Sequence, residues 1–369
     1  MALLLPLLPY IRNDFSLTYA KAGWLSSAYG FSYGMSQLPS GWLTDRFGPR
    51  VMLLVGVSGV AVIGLLVGVS PNYIFLAALL VILGLAGGGY HPAAAPLVSA
   101  SVSPEKRGRA LGLHQIGGSA SFFLAPLIAA GIAGLAGWRG TFISVSIPSI
   151  IFGIIFYILL GRILRKDVSG QKSPVEYGTE SASPGQNLRL TVFLILGISS
   201  MVTVYLTISF IPLYLVDSFG MSEQTAAAML SIAYSGGIWA GPLGGYLSDK
   251  LGRIPVILST GFIAALSIYL FNIVSQGFGL TIALILLGMA MNVGMPVVEA
   301  YVITHVPLRQ RSTLLGLYYM GSRGGLALAP LIGFVIDRQG FTPAFTMLSA
   351  VMLVIALLCG ALLLVKRGR

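Results

Sequence analysis

The sequence predicts an all-α membrane protein made of two six-helix halves. Three observations lead there. Of 369 residues, 56% are hydrophobic and 9% charged, against roughly 25% charge in a soluble domain. The apolar residues fall in runs close to the ~20 residues a helix needs to cross a bilayer core. The chain also repeats itself. The stretch Gly41-Trp42-Leu43-Thr44-Asp45-Arg46-Phe47-Gly48-Pro49-Arg50 returns as Gly245-Tyr246-Leu247-Ser248-Asp249-Lys250-Leu251-Gly252-Arg253, which sets Asp45 and Asp249 204 residues apart. Backbone inside lipid must satisfy its own hydrogen bonds, so the apolar runs are read as helices.

In order, the apolar spans are 1–12, 20–43, 51–69, 72–98, 108–134, 138–160, 190–213, 222–247, 254–272, 277–303, 312–336 and 342–365. The first would reach about 18 Å at 1.5 Å per residue, short of a hydrocarbon core near 30 Å. Pro92 matches Pro296, Leu111-Gly112-Leu113 matches Leu315-Gly316-Leu317, and Pro126 matches Pro330, all at the same offset of 204. By that offset, the partner of Leu190, which opens the seventh span, falls about 14 residues before Met1. Either a start codon is assigned too late or the first helix is short. No basic stretch precedes the first apolar run, so a cleavable signal peptide is not expected.

The halves are residues 1–160 and 190–369. The longest polar stretch, 161–189, carries Ser173-Pro174 and Ser183-Pro184. It reads as a flexible cytoplasmic linker with a short surface helix near Arg162–Asp167. With the Asp45 turn on the cytoplasmic side, 17 of 22 Lys and Arg residues fall on that face. Arg12, Lys21, Arg139 and Arg338 fall outside, and Arg323 alone lies within the membrane. That split obeys the positive-inside rule and predicts a multi-pass protein of the cell inner (plasma) membrane. The net charge of +11 is dispersed over these loops, so it does not point to a nucleic-acid partner. Cys359 is alone, so no intramolecular disulfide can form. Trp24, Trp42 and Trp138 fall near span ends and read as interfacial belt residues, with Trp239 deeper.

Asp45 closes a helix, where an anion is unfavourable. It needs a partner, and Arg46 and Arg50 are nearest in sequence. Gly41 lies one turn earlier and permits close helix approach. A solvated turn explains one such stretch; two in register ask for more. The pattern G-x-x-x-D-R/K-x-G-x-R resembles the signature loop of the major facilitator superfamily. It fits at Gly41, Asp45, Arg46, Gly48 and Arg50, and again at Gly245, Asp249, Lys250, Gly252 and Arg253, the last one residue early. The resemblance covers the whole chain. It implies two bundles rocking about a central site and a loop that latches them in one state. That gating role falls on Asp45, Arg46, Arg50, Asp249, Lys250 and Arg253. Gly87-Gly88-Gly89-Tyr90-His91-Pro92-Ala93-Ala94, followed by Glu105-Lys106-Arg107-Gly108-Arg109-Ala110, resembles helix four and its loop in bacterial-type uptake and efflux carriers, fosmidomycin-resistance-like ones included. Drug and proton antiporters carry a Gly-Pro signature in helix five. Here Ala125 precedes Pro126, a departure from it.

Deep polar side chains are the site candidates, because burying them unpaired is expensive. A residue shared by both repeats reads as scaffold and an asymmetric one as solute chemistry. Arg323, opposite Ser119 in the repeat, has no acid within one helical turn and offers a bidentate seat for an anion. Its other reading is a pair with a distant acid or with carbonyls. Asn292, Tyr29, Tyr33, Gln37, Tyr205 and Tyr319 offer hydrogen bonds to a solute or between helices. His91 and His114 serve solute binding, a pH-sensitive gate or packing. Glu299 is a carboxylate able to carry a coupling proton, or else a snorkelling or gate group. The three histidines do not have metal-ligand spacing. The glycines lack the Gly-Lys-Ser/Thr ending of a nucleotide loop, which predicts a carrier driven by a gradient.

The function expected is secondary active transport of a small organic solute, an anion, by alternating access. Its partners are the bilayer, the solute and coupled protons; no cofactor, metal or nucleic acid is expected, and the state is monomeric. The alternatives are proton-coupled multidrug efflux and a non-transporting membrane sensor with a carrier fold. No nucleophile-base set or paired carboxylates suggest an enzyme.

Overall fold

The computed structural model describes residues 1–90, 93–94, 97–98, 101–103, 106–166, 186–306 and 308–365. His91, Glu105 and most of the expected linker lie outside the described residues. The helices are α1 (Leu4–Asp14), α2 (Tyr19–Phe47), α3 (Pro49–Gly68), α4 (Tyr73–Gly87), α5 (Arg107–Lys166), α6 (Gln186–Phe219), α7 (Glu223–Leu251), α8 (Arg253–Leu270), α9 (Phe278–His305), α10 (Leu308–Gly324), α11 (Ala329–Gln339) and α12 (Phe341–Val365).

The repeat is written into the helix ends. α2 and α7 each run 29 residues. Thr18 caps α2 by accepting from the Lys21 N–H at 3.2 Å, and its repeat partner Ser222 caps α7 by accepting from the Thr225 N–H at 3.1 Å. Both side chains satisfy a first-turn donor that the helix itself cannot. Both helices stop at a glycine with positive φ, Gly48 at 82° and Gly252 at 92°, a conformation glycine adopts without a Cβ penalty. Pro49 then opens α3, where its missing N–H costs nothing.

Among the described residues, seven stretches are long and apolar enough to cross a membrane: Pro49–Gly68, Gly112–Arg162, Leu188–Phe219, Arg253–Leu270, Phe278–His305, Thr313–Gln339 and Phe341–Leu363. Twelve spans were expected, and the difference has physical causes. Gly112–Arg162 is one 51-residue stretch bent at Gly137 (φ 67°), so it takes in the expected spans 108–134 and 138–160. α1 has 11 residues and α4 has 15. α2 and α7 are long enough, but serine, glycine and tyrosine dilute their apolar character. The expected surface helix near Arg162 is not separate: α5 continues through Lys166.

α2 lies against α4, α10 and α11, while α5 lies against α7, which in turn packs on α9. One apolar core runs through all of these, from Leu4, Leu8 and Leu25 to Phe193, Phe210, Leu287 and Phe345. Glycines admit the closest crossings. A Cβ on Gly23 would lie 2.5 Å from the Ala329 carbonyl oxygen, and one on Gly288 would lie 2.1 Å from that of Ala233. Between α10 and α11 the chain tightens into a 3₁₀ turn at Gly325–Leu328, just before Pro330. Trp138 departs from the belt expectation. It is 4% exposed, tilted against Phe15, and its Nε1 donates to Asp14 at 3.3 Å. Trp24 and Trp42 are exposed as a belt requires.

Candidate functional site

Arg323 ends the regular part of α10, where α2, α6 and α7 converge on it. Its guanidinium lies 4.2 Å from the Tyr205 ring centroid and 5.7 Å from that of Tyr33. Tyr29, Tyr234, Tyr318 and the Met1 amine also lie within electrostatic reach of it. The π faces of tyrosines attract a cation without neutralising it. One guanidinium N–H reaches the Met1 sulfur at 3.7 Å. The ion pairs among the described residues, Arg12–Asp217 and Arg139–Asp14, lie elsewhere. Among the described residues, this charge therefore stands beside tyrosine rings and makes no ion pair with a carboxylate.

Tyr319 lies one turn from Arg323 on α10, and its hydroxyl donates to the Glu299 carboxylate. Glu299 thus meets a tyrosine rather than the arginine. Gln37, one turn beyond Tyr33 on α2, has a buried Nε2 beside the Tyr33 hydroxyl. Asn292 is set apart from the ring cage. Its Nδ2 donates to the Gly288 carbonyl at 2.9 Å, and it faces Gly236 and Gly237 of α7. His114 stacks on Tyr90 with centroids 5.9 Å apart. His305 stacks on Tyr301 at 4.2 Å. Among the described residues no group of three or more His, Cys, Asp or Glu is placed to hold a metal. An apolar crevice between α2, α3 and α4, lined by Met35, Leu43, Phe47, Val55 and Leu85, lies away from Arg323.

Tyr234 was missed by sequence reasoning. Its repeat partner is Gly30, and that asymmetry was a usable signal. The other omission is the set of bonds at the end of the molecule opposite Asp45. Arg12 pairs with Asp217, the Tyr19 hydroxyl donates to Asp217 at 2.6 Å, and the Asn13 amide donates to Glu223. The backbone N–H groups of Tyr19 and Ala20 donate to Asp337 at 2.8 and 2.9 Å. With Thr18 on the Lys21 N–H, the first turn of α2 is fully satisfied.

The two charged turns behave differently from that end. Asp45, Arg46, Asp249 and Lys250 are exposed. Arg46 lies 5.2 Å from the Trp42 ring. Arg50 does not turn to Asp45: its Nε donates to the Tyr157 carbonyl at 3.1 Å, and its guanidinium lies 3.9 Å from the Tyr157 ring. Arg253 donates to Thr304 Oγ1 at 2.6 Å.

A helical protein that spans the bilayer many times, with a caged arginine deep between its helices, belongs to the class of membrane carriers. The chain is a member of the Major Facilitator Superfamily, whose family model matches residues 1–196 and again 192–369. It is similar to the multidrug resistance protein MdtG of Salmonella paratyphi C (strain RKS4594), 28% identical over 366 residues that cover 95% of this chain and 89% of that one. It is also similar to the probable L-galactonate transporter of Escherichia coli (strain K12), 24% identical over 353 residues covering 89% and 77%. Among solved structures it shares the fold of a bacterial homologue of the human lysosomal transporter Spinster in an inward-facing, occupied conformation. That likeness has a TM-score of 0.72 at 17% identity, covering 100% of this chain and 94% of the other. A POT family peptide transporter bound to alafosfalin gives a TM-score of 0.77 at 15% identity, covering 98% and 90%. The protein is thus a multi-pass inner-membrane transporter of small organic solutes and not an enzyme.

Proposed function

We propose that this carrier works by alternating access between two six-helix bundles, residues 1–160 and 190–369, and that its solute is an anion held at Arg323. The observation that carries the anion reading is the guanidinium among tyrosine rings, with no ion pair to a carboxylate among the described residues. An unpaired cation in a low-dielectric site binds an anion strongly, because neither partner then loses its only counter-charge. Glu299, hydrogen-bonded to Tyr319, is the group through which protons would couple. The relatives transporting galactonate support the same direction.

A second reading, proton-coupled efflux of several drugs, draws stronger support from the relatives. The MdtG proteins match at higher identity and over more of this chain than the galactonate transporters do. The helix-four stretch that resembles fosmidomycin-resistance-like carriers supports a bacterial carrier subgroup on its residues alone. One experiment separates the two. The purified chain and its Arg323→Ala variant are screened by thermal shift against organic anions, lipophilic cations and neutral drugs. Stabilisation by one anion class that disappears in R323A supports the anion carrier. Stabilisation by unrelated lipophilic cations, equal in both proteins, rejects it in favour of efflux.

A further inference from the structure

Along α2 the sequence sets Met35, Pro39, Leu43 and Phe47 four residues apart, which places them on one helix face. α3 and α4 flank that face and leave an apolar crevice of about 480 Å³, within the ~300–1,000 Å³ range of ligand pockets. It does not suit a polar solute. Its two serines are spent on the helix itself: Ser36 Oγ donates to the Tyr33 carbonyl at 2.8 Å, and Ser40 Oγ to the Ser36 carbonyl at 2.5 Å. The other lining side chains are apolar, and Met35, Phe47, Val51, Val55 and Leu85 are exposed along it. α3 is one of the stretches able to cross a membrane, so apolar surface exposed there faces hydrocarbon. On the α3 wall, Val55–Gly59 are wound as π-helix, a bulge found often at functional sites.

A charge stands at one end of the crevice. The Arg46 guanidinium lies 5.7 Å from the ring of Phe47, a lining residue, and 5.2 Å from the Trp42 ring. It is exposed and, among the described residues, makes no ion pair. Asp45 is exposed beside it, and Arg50 is turned to Tyr157, so Asp45, Arg46 and Arg50 together leave an excess of positive charge. From Phe47 to Met35 the face runs 12 residues, about 18 Å at 1.5 Å per residue. One leaflet of hydrocarbon is about 15 Å deep, half of ~30 Å. We propose that the crevice holds an acyl chain of an anionic phospholipid of the cytoplasmic leaflet, with the lipid phosphate on Arg46. The guanidinium offers a phosphate two parallel donors. The Trp42 ring sits where headgroup and chain meet, the level that tryptophan prefers. A zwitterionic headgroup carries its own ammonium to a turn that already has excess positive charge; an anionic one does not.

The test uses the purified full chain in phosphatidylcholine nanodiscs. A minor fraction of the lipid is replaced by phosphatidylglycerol, or by phosphatidylcholine, brominated near the carbonyl end of its chains. Bromine quenches tryptophan at contact, and the difference between the chain and its Trp42→Phe variant isolates Trp42. Phosphatidylglycerol should quench Trp42 roughly fivefold more strongly than phosphatidylcholine, the worth of one arginine at an anionic lipid. Arg46→Gln, an exposed change, should erase that preference. The depth of the chain is read with bromines at the methyl end and a Met35→Trp variant made in the W42F background. Its tryptophan should show the same preference for phosphatidylglycerol, and R46Q should remove it there too. Equal quenching of Trp42 by the two lipids, or a preference that R46Q leaves unchanged, overturns the proposal. A preference seen at Trp42 and absent at position 35 overturns it as well, because the headgroup would then be held with no chain in the crevice.

Discussion

The two ends of the molecule carry the same kinds of side chain and use them differently. At the Arg12 end, charges bond across the repeat. Arg12 and Tyr19 meet Asp217, Asn13 meets Glu223, and Asp337 takes the first N–H groups of α2. Two of these bonds are repeat-related, since Asn13 is the equivalent of Asp217, and Tyr19 of Glu223. The Asn13–Glu223 and Tyr19–Asp217 bonds are thus one contact made twice. At the Asp45 end the described charges stay close to home: Arg50 on Tyr157, Arg253 on Thr304, and Asp45 and Asp249 exposed. The lesson is that duplication gave both halves the charged turn, while the charged bonds between the halves among the described residues lie at the opposite end.

Three measurements sharpen the contrast. The largest effect is expected from removing two of the three carboxylate acceptors that join the halves at the Arg12 end. Asp217→Ala with Asp337→Ala takes away the Arg12 and Tyr19 acceptor and the cap of α2. The combined loss should be about 2 kcal/mol, since a helix cap is worth about 1 and a largely covered pair about 1 more. It is read as a lowered unfolding midpoint in detergent. In a background where Cys359 is replaced by alanine, a cysteine at Thr18 should also become several-fold more reactive to an impermeant maleimide. No change in that labelling would show that the end is held by packing alone.

A charge swap comes second. Arg12→Asp and Asp217→Arg should each cost about 1 kcal/mol, and the double reversal should restore about half of that. Strict additivity would mean that the ion pair contributes nothing beyond the Tyr19 bond. The smallest effect on stability belongs to the other end. Asp45→Asn and Asp249→Asn should move the unfolding midpoint by no more than about 0.5 kcal/mol, because the carboxylates are exposed. Solute counterflow in proteoliposomes should nevertheless fall if these turns latch a state of the cycle. Counterflow equal to the unmodified protein would strip the turns of that role.

Helix positions were legible because lipid and backbone hydrogen bonding leave few choices, and the repeat carried the caps. Thr18 and Ser222, and Gly48 and Gly252, occupy equivalent places for local reasons. Arg323 was legible as the one basic residue in an apolar span, and the structure sets it beside tyrosine rings. Its surroundings were legible only in part: Tyr29, Tyr33 and Tyr205 are at the cage, Tyr234 was missed, and Asn292 belongs to a different crossing. Glu299 stood out in the sequence as an acid inside a span, and its partner, Tyr319, came only with the structure.

What the sequence by itself determined is therefore local and periodic: which segments are helices, where they start and stop, and that the chain is one unit used twice. Only the tertiary structure decided which polar groups meet, because those meetings join residues far apart in the chain. Arg12 and Asp217 are separated by 205 positions. An apolar solvent makes every polar side chain seek a partner, but it does not say which one. Helix crossings decide that, and the crossings are set by where glycine lets two backbones touch.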